Sequence, residues 1–214
     1  MNVQLKFLIV DDHAVVRQGL KHILQEEWAG ATFGEAPNVA AMLPIFRKEA
    51  WNVVLLDINM PGRSGLDVLR DLKTEKPNVP VLILSGHPED QYAVRVLKAG
   101  ASGYLPKETA SDELIKAVRK VLDGGKYVSA TLAEQIASGL GKESEKMPHE
   151  SLSDREYQVM RLIAAGKTPT QIAAELMLSV KTISTFRTRV LAKMGRKTNA
   201  DLIQYALQHN LLDS

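Results

Sequence analysis

The fold of this chain is decided by residues 53–69, which read VVLLDINMPGRSGLDVL. An aliphatic run ends at Asp57, a polar loop with proline and glycine follows, and apolar residues return at helical spacing from Leu66. An apolar run of strand length, a loop and an amphipathic run make one strand–helix unit. We therefore expect Asp57 to stand at the carboxyl end of a buried parallel strand.

The same alternation continues on both sides of this stretch. Short apolar runs that indicate strands are KFLIV, NVVLL, VPVLIL and SGYL, with ATFGEA as a weaker second strand. The amphipathic runs between them are Val15–Leu24, Val39–Phe46, Leu66–Leu72, Tyr92–Ala99 and Leu114–Leu122. This order predicts an α/β, doubly wound, flavodoxin-like domain whose five-stranded parallel sheet is covered by helices on both faces.

The alternation stops after Gly124-Gly125. We expect a first domain over 1–125, a linker with one short helix near Thr131–Gly139 over 126–149, and a small all-α domain over 150–214. The last domain is predicted to contain four helices, because capping residues precede each apolar run. These capping residues are Ser153 with Glu156, Thr168 with Gln171, Ser179, and Thr198.

Charge is distributed unevenly along the chain. Residues 1–125 carry 15 Lys+Arg against 16 Asp+Glu, whereas residues 151–214 carry 9 against 5. Six basic and no acidic residues lie between Met177 and Ala200. This one-sided charge favours a polyanion partner for the C-terminal domain over a solvated helix face, which would normally mix both signs.

Two classes of structure are excluded by composition. The chain has no cysteine, so it has neither disulfides nor a thiolate metal site. Its first residues lack the features of a signal peptide, and no apolar run approaches the roughly 20 residues that a membrane span requires. We expect a cytoplasmic protein without membrane contact.

Polar residues follow four of the predicted strands. Asp11 and Asp12 follow the first, Asp57 ends the third, Ser85 ends the fourth, and Lys107 follows the fifth. Singly, each could be a helix cap or a solvated side chain, but parallel sheets bind ligands at this edge. Three carboxylates suit Mg²⁺, and one of them, Asp57, can attack phosphorus to form an acyl phosphate. The metal and Lys107 would neutralise phosphoryl charge, and Ser85 would hydrogen-bond a phosphoryl oxygen.

Two other doubly wound classes fit these residues less well. A flavodoxin-like phosphate cradle needs small polar residues after the first strand, where this chain has Asp11-Asp12. A phosphatase of the haloacid dehalogenase type needs an acid two residues after the nucleophile, where this chain has Asn59. The site is therefore expected to accept phosphate and to turn it over slowly.

Four blocks of the first domain resemble the receiver domain of response regulators: LIVDDHAVVRQGL, VVLLDINMPGRSGLDVL, VLILSGHPED and ASGYLPKE. The resemblance covers about residues 5–125. It implies that Asp57 is the phosphoacceptor, that Asp11, Asp12 and the Asn59 backbone carbonyl help to hold Mg²⁺, and that Lys107 pairs with the phosphoryl group. It also implies that Ser85 and Tyr104 form a switch pair. Pro106 stands where the family usually has an aliphatic residue.

Residues 150–212 resemble the LuxR-type helix-turn-helix, and the combination resembles the NarL/FixJ group of response regulators. The recognition helix is expected at Val180–Met194, with Val180, Ile183, Val190 and Met194 buried. Candidates for base contact are Ser184, Thr185, Thr188 and Arg189. Candidates for phosphate contact are Lys181, Thr182 and Lys193.

The expected function is transcription regulation controlled by phosphorylation. A sensor histidine kinase would supply the phosphoryl group, and a homodimer would read double-stranded DNA at two half-sites about one helical turn apart. RNA polymerase is a further partner that this interpretation allows. Two alternatives stay open at this point: a slow aspartyl-phosphate enzyme with a tethered protein-binding domain, and a regulator that binds DNA regardless of phosphate. The apolar side of the last helix is either domain core or a dimer surface.

Overall fold

The computed structural model describes residues 4–60, 63–86, 91–109, 111–139, 147–209 and 211–212. Its five strands are β1 (Lys6–Val10), β2 (Thr32–Ala36), β3 (Val53–Asp57), β4 (Val81–Ser85) and β5 (Gly103–Pro106). They form one parallel sheet in the order β2-β1-β3-β4-β5. This order is that of the flavodoxin-like doubly wound fold, which confirms the predicted class.

Helices alternate with these strands and then continue alone. The first five are α1 (Ala14–Glu27), α2 (Val39–Lys48), α3 (Gly65–Glu75), α4 (Gln91–Lys98) and α5 (Ser111–Leu122). The others are α6 (Ala130–Gly139), α7 (Asp154–Ala164), α8 (Pro169–Leu176), α9 (Val180–Lys193) and α10 (Asn199–Gln208). No helix within the described ranges has both the length and the hydrophobicity needed to traverse a bilayer.

Burial explains why the central strands read as continuous apolar runs. β3 and β4 are buried at every residue, since helices cover both faces of the sheet. One face packs its leucines against α1 and α5, in a core that includes Leu55, Leu82, Leu105 and Val118. The carboxyl ends of the strands are thereby held in fixed positions at one edge of the sheet.

The loop after β3 is held close to α3 by a glycine. A Cβ atom at Gly65 would lie 2.5 Å from the carbonyl oxygen of Ile58, which is far below an ordinary contact distance. Only glycine allows the residues after Asp57 to approach the start of α3 this closely. No role was predicted for Gly65 from the sequence, although it lies within the decisive stretch.

The chain forms two compact units, Met1–Ile136 and Ala137–Ser214, and the division falls within α6. The domain limits at 125 and 150 stay a prediction, and residues 140–146 of the predicted linker lie outside the described residues. A short 3₁₀ helix, Pro148–Ser151, precedes α7 and was not predicted. The capping boxes predicted at Ser153 and Thr168 are present, and Ser179 and Thr198 cap α9 and α10 as predicted.

One predicted core position is wrong. Ile183, Val190 and Met194 of α9 are buried as expected, but the Val180 residue is 45% exposed. Val180 is the first residue of the helix, and 3.6-residue periodicity places it to one side of the buried stripe. Val180 is therefore only partly covered.

Candidate functional site

The ammonium group of Lys107 joins two carboxylates at the carboxyl edge of the sheet. Lys107 Nζ lies 2.8 Å from Asp57 Oδ2 and 2.7 Å from Asp11 Oδ2. The Asn59 backbone N–H donates to the second Asp57 oxygen, Oδ1, at 2.9 Å. Because β5 is separated from β3 by β4, the long lysine side chain must cross one strand to reach Asp57. The structure thus brings together three residues that the sequence predicted at one site.

Burial controls the electrostatics of this cluster. It raises the pKa of the Asp57 carboxyl above its ordinary value, although the hydrogen bonds from Lys107 and Asn59 oppose that shift. Burial alone would lower the pKa of Lys107, but its hydrogen bonds to Asp11 and Asp57 outweigh this, and the net shift is upward. The two carboxylates therefore favour the charged form of Lys107 beside Asp57.

Asp12 and His13 complete the acidic cluster on its outer side. The ligand atoms of Asp11, Asp12, His13 and Asp57 all lie within 4.8 Å of one another. His13 Nδ1 is 2.8 Å from Asp12 Oδ1, and the His13 backbone N–H donates to Asp11 Oδ1 at 2.8 Å. No site was assigned to His13 from the sequence, although its position directly after Asp11-Asp12 was a usable signal.

The donor set of this cluster fits a divalent cation. Among the described residues, the cluster contains three carboxylates and the ammonium group of Lys107, which contacts two of them, the buried Asp11 and Asp57. Negative charge in excess at a buried site is costly unless a cation compensates it. Oxygen ligands of this kind, with room for water at the exposed Asp12, suit Mg²⁺.

The predicted switch residues share one face of the sheet. Ser85 is buried and accepts a hydrogen bond from Asn59 Nδ2 at 3.3 Å. Strand register pairs Ser85 with Pro106 and Ile83 with Tyr104, so side-chain alternation places Ser85 and Tyr104 on the same face. The Tyr104 side chain is fully buried.

Pro106 does not disturb the position of Lys107. β5 is an edge strand, where proline is tolerated because its missing N–H need not face a neighbouring strand. The Lys107 backbone N–H still donates to the Ser85 carbonyl at 2.6 Å. The lysine is therefore anchored to β4 directly after the proline.

A polar face of α9 contains the predicted DNA contacts. Most of these residues are exposed. Thr182 is half-buried, and its N–H donates to Ser179 Oγ at 3.0 Å. The exposed ones are Lys181, Ser184, Thr185, Thr188, Arg189 and Lys193. The turn before α9 contains Met177 with φ of 53°, a left-handed conformation that ends α8. α8, this turn and α9 form the predicted helix-turn-helix.

Hydroxyl groups on this face are already engaged as donors. Ser184 Oγ donates to the Val180 carbonyl at 3.0 Å, and Thr185 Oγ1 donates to the Lys181 carbonyl at 3.1 Å. Thr188 Oγ1 makes the same bond to Ser184. Since each hydroxyl proton points back along the helix, the oxygens present lone pairs to a ligand. Such acceptors match the amino groups of adenine and cytosine in the major groove.

Lys193 has a partner that was not predicted from the sequence. Its Nζ lies 2.6 Å from Oε2 of Glu156, whose side chain is only 4% exposed. Glu156 also accepts from the Ser153 backbone N–H in the capping box of α7. Lys193 therefore ties the end of α9 to the start of α7, and a DNA phosphate would compete with this ion pair.

Two family models match the chain. The model described as "Response regulator receiver domain" matches residues 7–119. The model described as "Bacterial regulatory proteins, luxR family" matches residues 150–206. Together they cover the acidic cluster and the whole helix-turn-helix.

Similar proteins extend along nearly the full length of the chain. "Response regulator UvrY" of Escherichia coli (strain K12) is 34% identical over 211 residues, which is 98% of this chain and 97% of the relative. One similar structure is that of RcsB from Salmonella enterica serovar Typhimurium, bound to promoter rprA in the presence of the phosphomimetic BeF3-. Its TM-score is 0.65 at 28% identity, and the match covers 94% of this chain and 98% of the RcsB chain. A structure of two RcsB dimers bound to two parallel DNAs has a TM-score of 0.58 at 26% identity, covering 94% and 97%.

Proposed function

This chain belongs to the response regulators that combine a receiver domain with a LuxR-type DNA-binding domain, and on that basis we propose that phosphorylation of Asp57 controls its binding to DNA. It is a DNA-binding regulator of transcription, as the proteins of this family are. The observation that carries the proposal is the contact of Lys107 with Asp57 and Asp11 at one sheet edge. The sensor histidine kinase, the contact with RNA polymerase and the cytoplasmic location stay predictions.

The residues of the receiver suit phosphoryl transfer to Asp57. In the proposed reaction an Asp57 carboxylate oxygen attacks phosphorus of the donor, and the bond from phosphorus to the donor breaks in line. Lys107 is positioned to neutralise charge that develops on the phosphoryl oxygens, and Ser85 to donate a hydrogen bond to one of them. Asn59 supplies no general acid, so the acyl phosphate is expected to persist.

Asp11, Asp12 and Asp57, with the carbonyl of Asn59, would hold Mg²⁺. When bound there, this ion supplies positive charge opposite the phosphoryl oxygens. The excess of three carboxylates over one ammonium group among the described residues of the cluster supports this assignment.

We propose that α9 enters the major groove of DNA. Lys181, Thr182 and Lys193 would then contact phosphates, while exposed residues of the second and third turns would reach base edges. Those residues are Ser184, Thr185, Thr188 and Arg189. RcsB binds DNA as a dimer, and we extend that arrangement to this chain, with one half-site for each copy.

Lys181→Ala is expected to weaken binding to all DNA sequences about equally and to reduce the salt dependence by roughly one unit of slope, because one phosphate contact is lost. Thr185→Ala, the matched change four residues further along the exposed face, is expected to alter sequence preference and leave that slope unchanged. Titrations at several salt concentrations measure both effects. An unchanged slope for Lys181→Ala would refute the phosphate contact.

Selection from random DNA tests the proposed function as a whole. The full chain is incubated with a random double-stranded pool, with and without beryllofluoride and Mg²⁺, and the bound DNA is sequenced. We expect one two-part motif, recovered at lower protein concentration when the phosphoryl mimic is present. Equal recovery in both conditions would favour a regulator that is indifferent to phosphate, and no enriched motif would contradict DNA recognition.

A further inference from the structure

Val180 is an exposed aliphatic side chain at the first position of α9, and any role for it in recognition rests on the proposed entry of this helix into DNA. It is one of a small number of large hydrophobic residues that the described part of the chain leaves in solvent. Those residues are Val15, Met147, Met177, Val180 and Leu207. Val180 is the one within the polar and basic helix that faces the proposed ligand.

The position of Val180 relative to the base-contact candidates follows from hydrogen bonds. The Ser179 side chain caps the helix, so Val180 begins it. The Val180 carbonyl accepts from Ser184 Oγ at 3.0 Å, which places Ser184 one turn above it on the same side. Lys181, the next residue, is exposed as well. The isopropyl group of Val180 therefore lies at the N-terminal end of the face that carries the polar contacts.

The chemistry of the major groove limits what this group can recognise. Valine has no polar side-chain atom, so it cannot read the donors and acceptors of a base edge. The one apolar group in the major groove is the C5-methyl of thymine. N-terminal residues of a recognition helix are those that approach base edges. We infer that Val180 contacts the methyl group of one thymine in each half-site and makes the protein prefer a T·A pair there.

Deoxyuridine tests this contact because it removes only the methyl group. The probe is the duplex that the wild-type chain selects from the random pool, with each thymine replaced singly by deoxyuridine. We expect wild type to lose about two- to fivefold in affinity at one thymine of each half-site, the amount expected for burying one methyl group. Val180→Ala should bind the thymine duplex more weakly by a similar factor and bind the thymine and deoxyuridine duplexes equally.

Val15→Ala is the matched control. Val15 is the second residue of α1 and is 84% exposed. Val15→Ala therefore removes the same two methyl groups as Val180→Ala, also near the start of a helix. Val15 belongs to the first compact unit and not to the unit that contains α9. This variant should retain the full thymine preference. Circular dichroism of Val180→Ala should match wild type, since an exposed side chain is removed.

The possible results separate this inference from the function on which it rests. The thymine contact is refuted if no single deoxyuridine weakens binding of wild type to the selected duplex. It is also refuted if Val180→Ala still prefers thymine to deoxyuridine as strongly as wild type does. Neither result contradicts DNA recognition by α9. Failure to select any site contradicts the proposed function, and the thymine contact with it.

Discussion

Asp57→Asn is expected to reduce phosphoryl labelling by acetyl phosphate and Mg²⁺ to background. The change keeps the shape of the side chain and removes the nucleophile that Lys107 and Asn59 orient at this site. Intact-mass measurement of wild type and variant gives the result directly. Equal labelling of both would refute Asp57 as the acceptor.

Two further variants distinguish the acceptor from its surroundings. Asp12→Asn removes a proposed metal ligand, so labelling should need at least about tenfold more Mg²⁺ and should recover when that is supplied. Asp112→Asn changes an exposed carboxylate at the start of α5 and should label as wild type does. A defect at Asp12 that no concentration of Mg²⁺ restores would contradict its role as a ligand.

We expect Asp57→Asn to stay folded, so that loss of labelling reports loss of the nucleophile. Burial raises the pKa of Asp57, so the folded state binds more protons than the unfolded state between the two pKa values. The contribution of this carboxyl to stability is then present at low pH and is lost as pH rises through that interval. In the absence of metal, the variant should therefore be at least as stable as wild type at neutral pH, which thermal unfolding can measure.

The acidic site could be predicted because parallel strands end at one edge of a sheet. Once the apolar runs were identified as parallel strands, the residues after β1, β3, β4 and β5 had to lie close together, and the structure brings Asp11, Asp57 and Lys107 into contact. Periodicity contains no information on contacts between distant elements. It could not predict that Lys193 pairs with Glu156, 37 residues away, or that Tyr104 is fully buried.

Val180 shows a different limit of periodicity. A helical pattern assigns a residue to a face but does not say where the packing partner of that face ends. Val180 is the first residue of α9 and lies to one side of the stripe of Ile183, Val190 and Met194, so an apolar residue that was predicted in the core is 45% exposed. The limits of a buried stripe can be found only from the arrangement of the helices.

A phosphoryl mimic is expected to raise DNA affinity by about 5- to 150-fold, the usual range for coupling between two sites, and to shift the chain from monomer to dimer. The phosphoryl group adds about −1.5 to −2 charges beside Asp57. Ser85, now held by Asn59 Nδ2, would turn toward a phosphoryl oxygen, and this would favour the inward position of Tyr104 on the same sheet face. Phosphorylation then shifts an equilibrium between inward and outward states, and its effect is bounded by the difference in affinity for them.

Ser85→Ala should break this connection while leaving Asp57 reactive. Without the hydroxyl group, the phosphoryl charge loses its contact with the sheet face that holds Tyr104. Beryllofluoride should therefore change DNA affinity by less than about a third of the wild-type factor. Ser102→Ala removes a hydroxyl from the opposite end of the sheet, where Ser102 Oγ accepts from the Val81 N–H, and should respond as wild type does. Light scattering and titration of the selected duplex, with and without beryllofluoride, measure mass and affinity for each protein. If Ser85→Ala responds as fully as wild type, the signal does not pass through Ser85; if wild type does not respond, phosphorylation does not control this domain.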